Sequence, residues 1–335
     1  MKTENFVENG VAHGEIASEL LSGTSLSQYR PVKSSINMGA LPKGAWEKID
    51  DTIERVAKDE LMAIGDLNKA PGVAVNFDGM SASSYTLYRA SSMSSAHVAM
   101  SPDTRGESDV LDFDSISVPL PVTVKDFWVN TKQVSMATAQ GVSLAAYATE
   151  EATYRVSYEL EETLFNGSFT GVGSTLYGYT TFPSRQTYTI PVSWSTQDPE
   201  LIFVDVNKMV NKSMTADHYG PWILYIPWEY SSRLNEDYTV GAVPYPTGVT
   251  IHDRLMKIPN LQSIEVSKHV TNDNIVLVEM SQRTVRLLNG IGMTAVDWEP
   301  PGSPNWNHNF KVITMAVPML IADYNGNCGI VHGKV

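Results

Sequence analysis

The chain has 335 residues, of which 42% are hydrophobic, so it holds enough apolar material for one large or two ordinary domains and too much for a disordered protein. It carries 24 Lys and Arg against 37 Asp and Glu, and the net charge of −13 argues against a protein that wraps nucleic acid. The single cysteine, Cys328, excludes an intrachain disulfide framework and a cysteine-cluster metal site, and it is typical of folding in a reducing compartment.

The first segment, residues 1–38, is polar and broken by glycines. One short amphipathic helix fits between Gly14 and Gly23, but a helix of this length is not stable alone. Two interpretations stay open: a loose terminus, or an arm that orders on another subunit. The segment predicts no signal peptide, because its first twenty residues carry four glutamates where a signal needs a basic start and an apolar run.

Residues 42–67 predict an amphipathic helix. Pro42 is typical of a first helical turn, and Pro71–Gly72 prevents the helix from continuing. Charged residues lie opposite one apolar stripe, whose members recur at steps of three, four and seven: Trp46, Ile49, Ile53, Val56, Ala57, Leu61 and Ile64.

Residues 73–118 are rich in serine and predict a long β-hairpin. Tyr85, Leu87 and Arg89 share one strand face, and residues 97–100 are predicted as the returning strand. A two-stranded hairpin is marginal in water, and the sequence shows no internal partner for this one. We therefore expect another molecule to hold it.

The middle of the chain predicts strands at 119–135 and then a long helix at 143–165. Pro119 and Pro121 favour an edge position for the strands. Ser143 is a candidate N-cap of the helix, and Asn166–Gly167 ends it. Residues 167–197 predict loops and hairpins.

From residue 198 the pattern becomes α/β. Helices are predicted at 201–212 and 227–235, and 282–290 is a segment of undefined type. Strands are predicted at 222–226, within 255–267, and at 274–280, 293–299 and 308–322, with Pro300–Pro301–Gly302 as a crossing between regions. The apolar run 312–322 is too short for a membrane helix of about 20 residues, so we expect no membrane partner.

The sequence predicts no catalytic, cofactor-binding or metal residues, and we expect no enzyme. No two of the seven histidines have the spacing of a metal pair, and the His252–Asp253 pair has no nucleophile motif to serve. The doublets Glu150–Glu151 and Glu161–Glu162 cannot form acid/base pairs, because adjacent helix residues point apart, and both are predicted on solvated faces. The Gly-rich stretch 167–178 lacks the Lys-Ser/Thr of a phosphate loop.

A resemblance to a known family begins at Ala45-Trp46-Glu-Lys-Ile49-Asp50, which is similar to the opening helix of encapsulin shells. The order of the later elements matches too: a sparse hairpin, a long helix ending Glu161-Glu-Thr-Leu-Phe-Asn-Gly167, the segment Pro221-Trp-Ile-Leu-Tyr-Ile-Pro227, and a terminal strand at 310–321. The resemblance covers residues 39–322. Encapsulins share the capsid fold of tailed phages, the Hong Kong 97 type.

The resemblance implies an α+β fold of this type, divided into six regions. These are an N-terminal arm at 1–38, a first helix region at 39–72, an extended loop at 73–118, a peripheral domain at 119–197 with its spine helix at 143–165, an axial α/β domain at 198–299, and a return strand to the peripheral domain at 300–335.

Two departures from compact encapsulins favour a phage major capsid protein. The chain carries the extra arm, and its segment 167–197 is expanded. The expected function is self-assembly into the icosahedral head of a tailed bacteriophage, in the virion after assembly in the bacterial cytoplasm. Partners would be many copies of the chain as pentamers and hexamers, with portal, scaffold or decoration proteins and weak, non-specific contact with packaged DNA.

Three other classes remain open at this point. An encapsulin shell enclosing cargo enzymes is the main alternative. A tail or baseplate component would form rings or tubes. A soluble α/β enzyme built on 198–299 would need a convergent His/Asp/Glu cluster at its strand ends, and the sequence shows none.

Overall fold

The structure is a computed structural model that describes residues 43–101, 108–139, 143–169, 175–239, 248–298 and 307–335. The predicted arm at 1–38 and the crossing at 300–302 lie outside these residues. The described residues form a mixed α+β fold, as predicted, with two larger sheets, two small two-stranded sheets and helices packed on both larger sheets.

The predicted first helix is two helices. Helix α1 (Lys43–Glu60) buries Ile49, Ile53, Val56 and Ala57 of the expected stripe. After a break at residues 61 and 62, helix α2 (Ala63–Lys69) follows. The break is long-range in origin, because the backbone N–H of Ile64 is capped by the carboxylate of Glu161, 97 residues away in the chain.

The first sheet has four strands, which in order across the sheet are β1 (Ala74–Asn76), β11 (Val285–Asp297), β12 (Asn307–Leu320) and β4 (Thr123–Asn130). Strands β1 and β4 are its edges. One strand and a helix, α3 (Thr131–Ala139), occupy the region where two strands were predicted. The segment of undefined type at 282–290 and the predicted strand 293–299 together form the single long strand β11.

Helix α4 (Leu144–Asn166) is the predicted long helix, and it packs on β4 and β12. Ser143 takes the N-cap position without a side-chain hydrogen bond. Gly167 ends the helix with φ 79°, and a Cβ there would lie 2.4 Å from the carbonyl oxygen of Leu176, so both the backbone angle and the space require glycine. Residues of α1, α2, α4 and the even-numbered positions of β12 form the largest apolar core.

The second sheet has five strands in the order β7-β13-β10-β8-β9. One face, with Ile223, Tyr225, Val276 and Val278, belongs to the largest core, and the opposite face packs in a separate core. Its final strand β13 and helix α7 were not predicted, and the predicted helix 227–235 is a 3-10 turn (Trp228–Tyr230) followed by the short helix α6. The elements are β7 (Gln186–Thr189), α5 (Pro199–Thr215), β8 (Trp222–Pro227), α6 (Ser231–Leu234), α7 (Ile251–Leu255), β9 (Leu261–Ser267), β10 (Asn274–Glu279) and β13 (Ile330–Lys334).

The two sheets interleave in sequence. Strand β11, from the region 198–299, pairs in the four-stranded sheet, while β13, from the region 300–335, pairs in the five-stranded sheet. The remaining strands form two small sheets: β2 (Ser84–Ala90) with β3 (Phe113–Pro119), and β5 (Ser168–Phe169) with β6 (Thr175–Leu176).

Candidate functional site

The predicted hairpin has a well-packed base. Strands β2 and β3 pair antiparallel from Ser84↔Pro119 to Ala90↔Phe113. The expectation that this hairpin lacks an internal partner is wrong for the base, because its inward face packs on Met315 and Val317 of the four-stranded sheet and completes a third apolar core. The hairpin residues in that core are Tyr85, Leu87, Ile116 and Val118.

Polar contacts fix the far end of the base. Arg89 Nη1 donates to the carbonyl oxygens of Ala322 at 3.0 Å and Asp323 at 3.1 Å, and its Nε donates to Asp114 at 3.0 Å. The hydrogen bond from Arg89 lowers the pKa of the Asp114 carboxyl. The Tyr324 hydroxyl donates to Asp112 at 2.6 Å. The base is therefore joined to the turn after β12.

Beyond the base, the hairpin leaves the protein surface. Residues 91–99 have no regular structure, so the predicted returning strand at 97–100 is wrong, and the chain returns as β3 instead. The outgoing and returning parts of the hairpin are joined by hydrogen bonds from Ser91 N–H to the Asp112 carbonyl at 2.8 Å and from Ser94 N–H to Asp109. We call residues 91–101 and 108–112 the distal segment.

The distal segment and the end of the base expose large hydrophobic side chains. Val98 and Met100 are 93% and 107% exposed. The others are Tyr88, Met93, Val110 and Phe113. Monomeric proteins rarely leave so many large apolar side chains together in water, and such surfaces usually mark an interaction site.

A second apolar surface lies on the same side of the four-stranded sheet as the hairpin. Cross-strand pairing places Val124 beside Ile313 and Trp128 beside Asn309. Trp128 is 62% exposed and Val124 48% exposed. Between the two pairs lies an ion pair, Asp126 with Lys311 at 3.4 Å. We call Val124, Asp126, Trp128, Lys311 and Ile313 the open strip.

The histidines differ in burial. His218, His269 and His332 are buried, whereas His252 is exposed and lies 3.6 Å from Asp253. His332 accepts from Arg185 at 3.2 Å through Nδ1 and contacts Asn274 at 2.8 Å through Nε2, and burial lowers its pKa to about 4.

A buried polar cluster joins the two sheets. The Glu279 carboxylate contacts His218 Nδ1 at 2.5 Å, accepts from the Thr284 hydroxyl at 2.6 Å and accepts from the Gly220 N–H at 3.1 Å. These hydrogen bonds lower the pKa of Glu279 against the cost of burial. The Thr284 side chain is fully buried and its hydroxyl donates to the carboxylate, so the cluster links the end of β10 to the start of β11.

The carboxylate doublets behave differently from one another. Glu150 and Glu151 lie on an exposed helix face, as predicted, each near an arginine. The prediction is wrong for Glu161, which is 2% exposed, and burial raises its pKa to about 8. Glu162 points elsewhere, to His269 Nδ1 at 3.0 Å. The two carboxylates therefore point apart, as expected.

Within the described ranges, no group of three or more His, Cys, Asp or Glu side chains could hold a metal ion. Cys328 is buried, which raises the pKa of its thiol to about 12. Residues 170–174 of the Gly-rich stretch 167–178 lie outside the described residues, and β5 and β6 flank them. Among the described helices, none combines the length and the apolar character needed to cross a bilayer.

Comparison with solved structures defines the class of fold. The virus-like particle from Pyrococcus furiosus superposes with a TM-score of 0.60 at 14% identity, covering 86% of this chain and 98% of that chain. The capsid of Myoviridae phage XM1 gives 0.60 at 11% identity, covering 78% and 89%. The capsid of the native GTA particle gives 0.55 at 10% identity, covering 91% and 94%. The chain has the capsid fold of the Hong Kong 97 type.

The family of the chain follows from its sequence. Residues 35–333 match the family of unknown function DUF6260, and the chain belongs to that family. No curated protein sequence matches it.

Proposed function

We propose that the protein is a structural protein that self-assembles into the icosahedral head shell of a tailed bacteriophage. The observation that carries this proposal is the exposed apolar distal segment, in which Val98, Met100 and Val110 are each at least 93% exposed. Shell subunits form obligate interfaces that can exceed about 2,000 Å² and are more apolar than transient ones. Contacts with further copies would remove these side chains from water.

Each predicted region has a proposed role in the shell. On this proposal, 73–118 is the extended loop that reaches over a neighbouring subunit, and α4 is the spine of the peripheral domain at 119–197. The region 198–299 supplies the axial domain at five- and six-fold positions, except for its strand β11, which pairs in the four-stranded sheet. Within 300–335, strand β12 returns to the peripheral domain and β13 pairs in the five-stranded sheet. The segment 1–38 is an arm between subunits.

On this proposal the protein is structural and catalyses no reaction. We assign it no catalytic residue, cofactor or metal. Its partners would be further copies as pentamers and hexamers, together with portal, scaffold or decoration proteins. It would be assembled in the host cytoplasm and reside in the virion. The net charge of −13 supports only weak, non-specific contact with packaged DNA, because an acidic wall repels phosphate.

An encapsulin shell that encloses cargo enzymes is the second candidate. The superposition that spans 98% of the Pyrococcus furiosus virus-like particle supports it. The arm at 1–38 favours the phage head, because in encapsulins the surface near the first helix holds cargo and an added arm would compete for it.

The test is expression of the full chain alone, followed by size exclusion and negative-stain microscopy. Closed particles of megadalton size support a shell. A monomer or dimer that stays unassembled at high concentration contradicts it, and open rings or tubes indicate a tail component. Replacing Val98 and Met100 with Glu should abolish assembly, whereas the matched change of exposed Ser92 and Ser95 to Glu should not. Neighbouring genes then separate the two shells: a portal and a terminase, or a cargo enzyme.

A further inference from the structure

We propose that a cleft beside the hairpin base binds an acidic peptide segment of a different protein, whose carboxylate Arg286 and Arg283 hold. The cleft lies between β2, the start of β11 and the turn after β12, and its volume is about 370 Å³. This volume falls at the lower end of the range for ligand pockets, about 300–1,000 Å³. The proposal goes beyond the shell function and does not depend on it.

The position of Arg286 in the sheet directs its side chain into the cleft. Side chains of a strand alternate between the two faces of its sheet, and Leu288, two residues further along β11, belongs to the core that the hairpin base completes. Arg286 therefore points to the hairpin face, opposite Met319 of β12. Its Nε donates to the Gln282 carbonyl oxygen at 3.2 Å. A half-buried and oriented guanidinium thus forms part of the cleft wall.

The three guanidinium groups among the lining residues differ in their counterions. Arg89 is paired with Asp114, and Arg283 lies 3.4 Å from Asp323. Within the part of the chain that the structure describes, Arg286 forms no ion pair, and the bond from its Nε is its only hydrogen bond. A half-buried charge without a counterion is costly, and a bound anion would remove that cost. Its two terminal nitrogens are free to donate to such an anion.

The charge of the cleft selects the class of anion. Asp323 is the one carboxylate among its described lining residues, and Asp112, which accepts from the Tyr324 hydroxyl at 2.6 Å, does not line it. With Arg89 paired, the surplus is one positive charge. A carboxylate carries one negative charge, and its two oxygens match the parallel N–H groups of a guanidinium. A DNA strand instead brings one charge per phosphate to a chain of net charge −13.

The rest of the wall indicates a peptide as the source of the carboxylate. Leu87 and Ile321 line the cleft, together with Tyr88, which is 74% exposed. A glutamate or aspartate beside an apolar residue would place its carboxylate on the arginines and its neighbour on this wall. Arg and Tyr are also enriched among the residues that dominate protein interfaces. Copies of this chain repel one another through their net charge, so a different protein that is acidic only locally is favoured.

The test is arginine-specific footprinting of the full chain with phenylglyoxal and mass spectrometry, below the assembly concentration and at constant ionic strength. The probe is a capped peptide of sequence Gly-Leu-Glu-Leu-Gly, and the matched peptide has Gln in place of Glu. We expect excess Glu peptide to slow modification of Arg283 and Arg286 at least about threefold, because the carboxylate occupies the guanidinium groups. Arg155, which is exposed on α4, should react at an unchanged rate.

Variants assign the protection to the paired N–H groups of Arg286. Arg286→Met should abolish the protection of Arg283, and the matched Arg155→Met should leave it unchanged. Arg286→Lys keeps the charge but loses the parallel N–H groups, so the half-protecting peptide concentration should rise at least about fivefold. Arg286→Met should unfold in urea at the parent midpoint or above, since it removes a charge without a counterion. A clearly lower midpoint would show that Arg286 serves its own fold and would overturn the proposal.

The remaining outcomes identify other occupants of the cleft. Equal protection by the Gln peptide, or no protection by the Glu peptide, overturns the proposal. Protection by inorganic phosphate or by a single-stranded oligonucleotide, without protection by the Glu peptide, assigns the cleft to phosphate and overturns it too. So do assembled particles in which both arginines are already unreactive without peptide, because a second copy then fills the cleft. The peptide assays do not require assembly, so their failure leaves the shell function to its own test.

Discussion

The two faces of the four-stranded sheet are covered in different ways. On the helix face, the even-numbered residues of β12 from Phe310 to Leu320 lie beneath helices of the same chain, and most belong to the largest core. On the hairpin face, burial is complete only from Met315 onward, and Lys311 and Ile313 stay partly exposed. The chain covers one face by itself and half of the other, and on the proposed shell function the uncovered half is available to a neighbouring copy.

The largest expected effect is the loss of stability when a buried ring on the helix face is removed, compared with removal of an exposed ring on the hairpin face. Phe310→Ala removes a ring that is 2% exposed and stacks on Phe127 at 5.2 Å, so we expect a loss of about 3–5 kcal/mol in the free energy of unfolding. Trp128→Ala on the other face should cost under about 1 kcal/mol in the free chain. Urea unfolding below the assembly concentration measures both. Equal losses would mean that the two faces are covered alike.

The next largest effect is the pH dependence of stability that the buried carboxyl of Glu161 causes on the helix face. Burial raises the pKa of Glu161 from its usual value of 4.5 to about 8. Between these values the folded chain holds a proton that the unfolded chain has released, so stability falls as pH rises from about 4.5 towards 8. Glu161→Gln removes this fall, and its stability relative to the parent chain should rise by up to about 3 kcal/mol between pH 6 and pH 8.

The control for that variant is Glu159→Gln, which changes an exposed glutamate of the same helix. Chemical unfolding at a series of pH values gives the stability of each chain, and charge effects shared by the whole acidic protein cancel in the difference between variants. A Glu161→Gln curve parallel to that of the parent chain would show that this carboxyl is hydrated.

A smaller effect tests the covered half of the hairpin face. Arg89→Met keeps most of the side-chain length but removes the hydrogen bonds to Ala322, Asp323 and Asp114. We expect a local loss of about 1–3 kcal/mol, since bonds from a charged donor are lost. Hydrogen exchange in β2 should accelerate while exchange in β12 stays slow. Lys58→Met, which breaks an exposed pair on α1, should leave both strands unchanged.

The helix face was predictable from sequence because its signal is local. Ile49, Ile53 and Ala57 recur at helical spacing whatever they pack against, and the ends of α4 follow from Ser143 and Gly167. The same reasoning failed at Glu161. A glutamate doublet near the end of a helix is typical of a solvated face, and only the N-terminus of α2, distant in sequence, explains its burial.

The hairpin face was predictable only in part, for a similar reason. The alternation of Tyr85, Leu87 and Arg89 identifies a strand, but it does not determine how many residues separate this strand from the one that pairs with it. The pattern therefore predicts a return at 97–100, whereas the chain returns at β3. The partner of the base, around Met315, is about 200 residues away or more, so no local pattern could identify it. The sequence predicts a sparse hairpin held by another molecule, and it does not identify the exposed apolar side chains of the distal segment.

The smallest expected effect on the stability of the free chain concerns the ion pair in the open strip. Asp126→Asn breaks the ion pair with Lys311 in the open strip, where the side chains are 53% and 35% exposed, so water solvates both charges and the loss should stay below about 1 kcal/mol. If a second copy covers the strip, the same change leaves Lys311 unpaired in a buried interface, where an uncompensated charge is costly. Particles of Asp126→Asn should therefore dissociate at a distinctly lower urea concentration than parent particles, although the free chains unfold alike. An equal dissociation midpoint for both kinds of particle would place the strip in water after assembly.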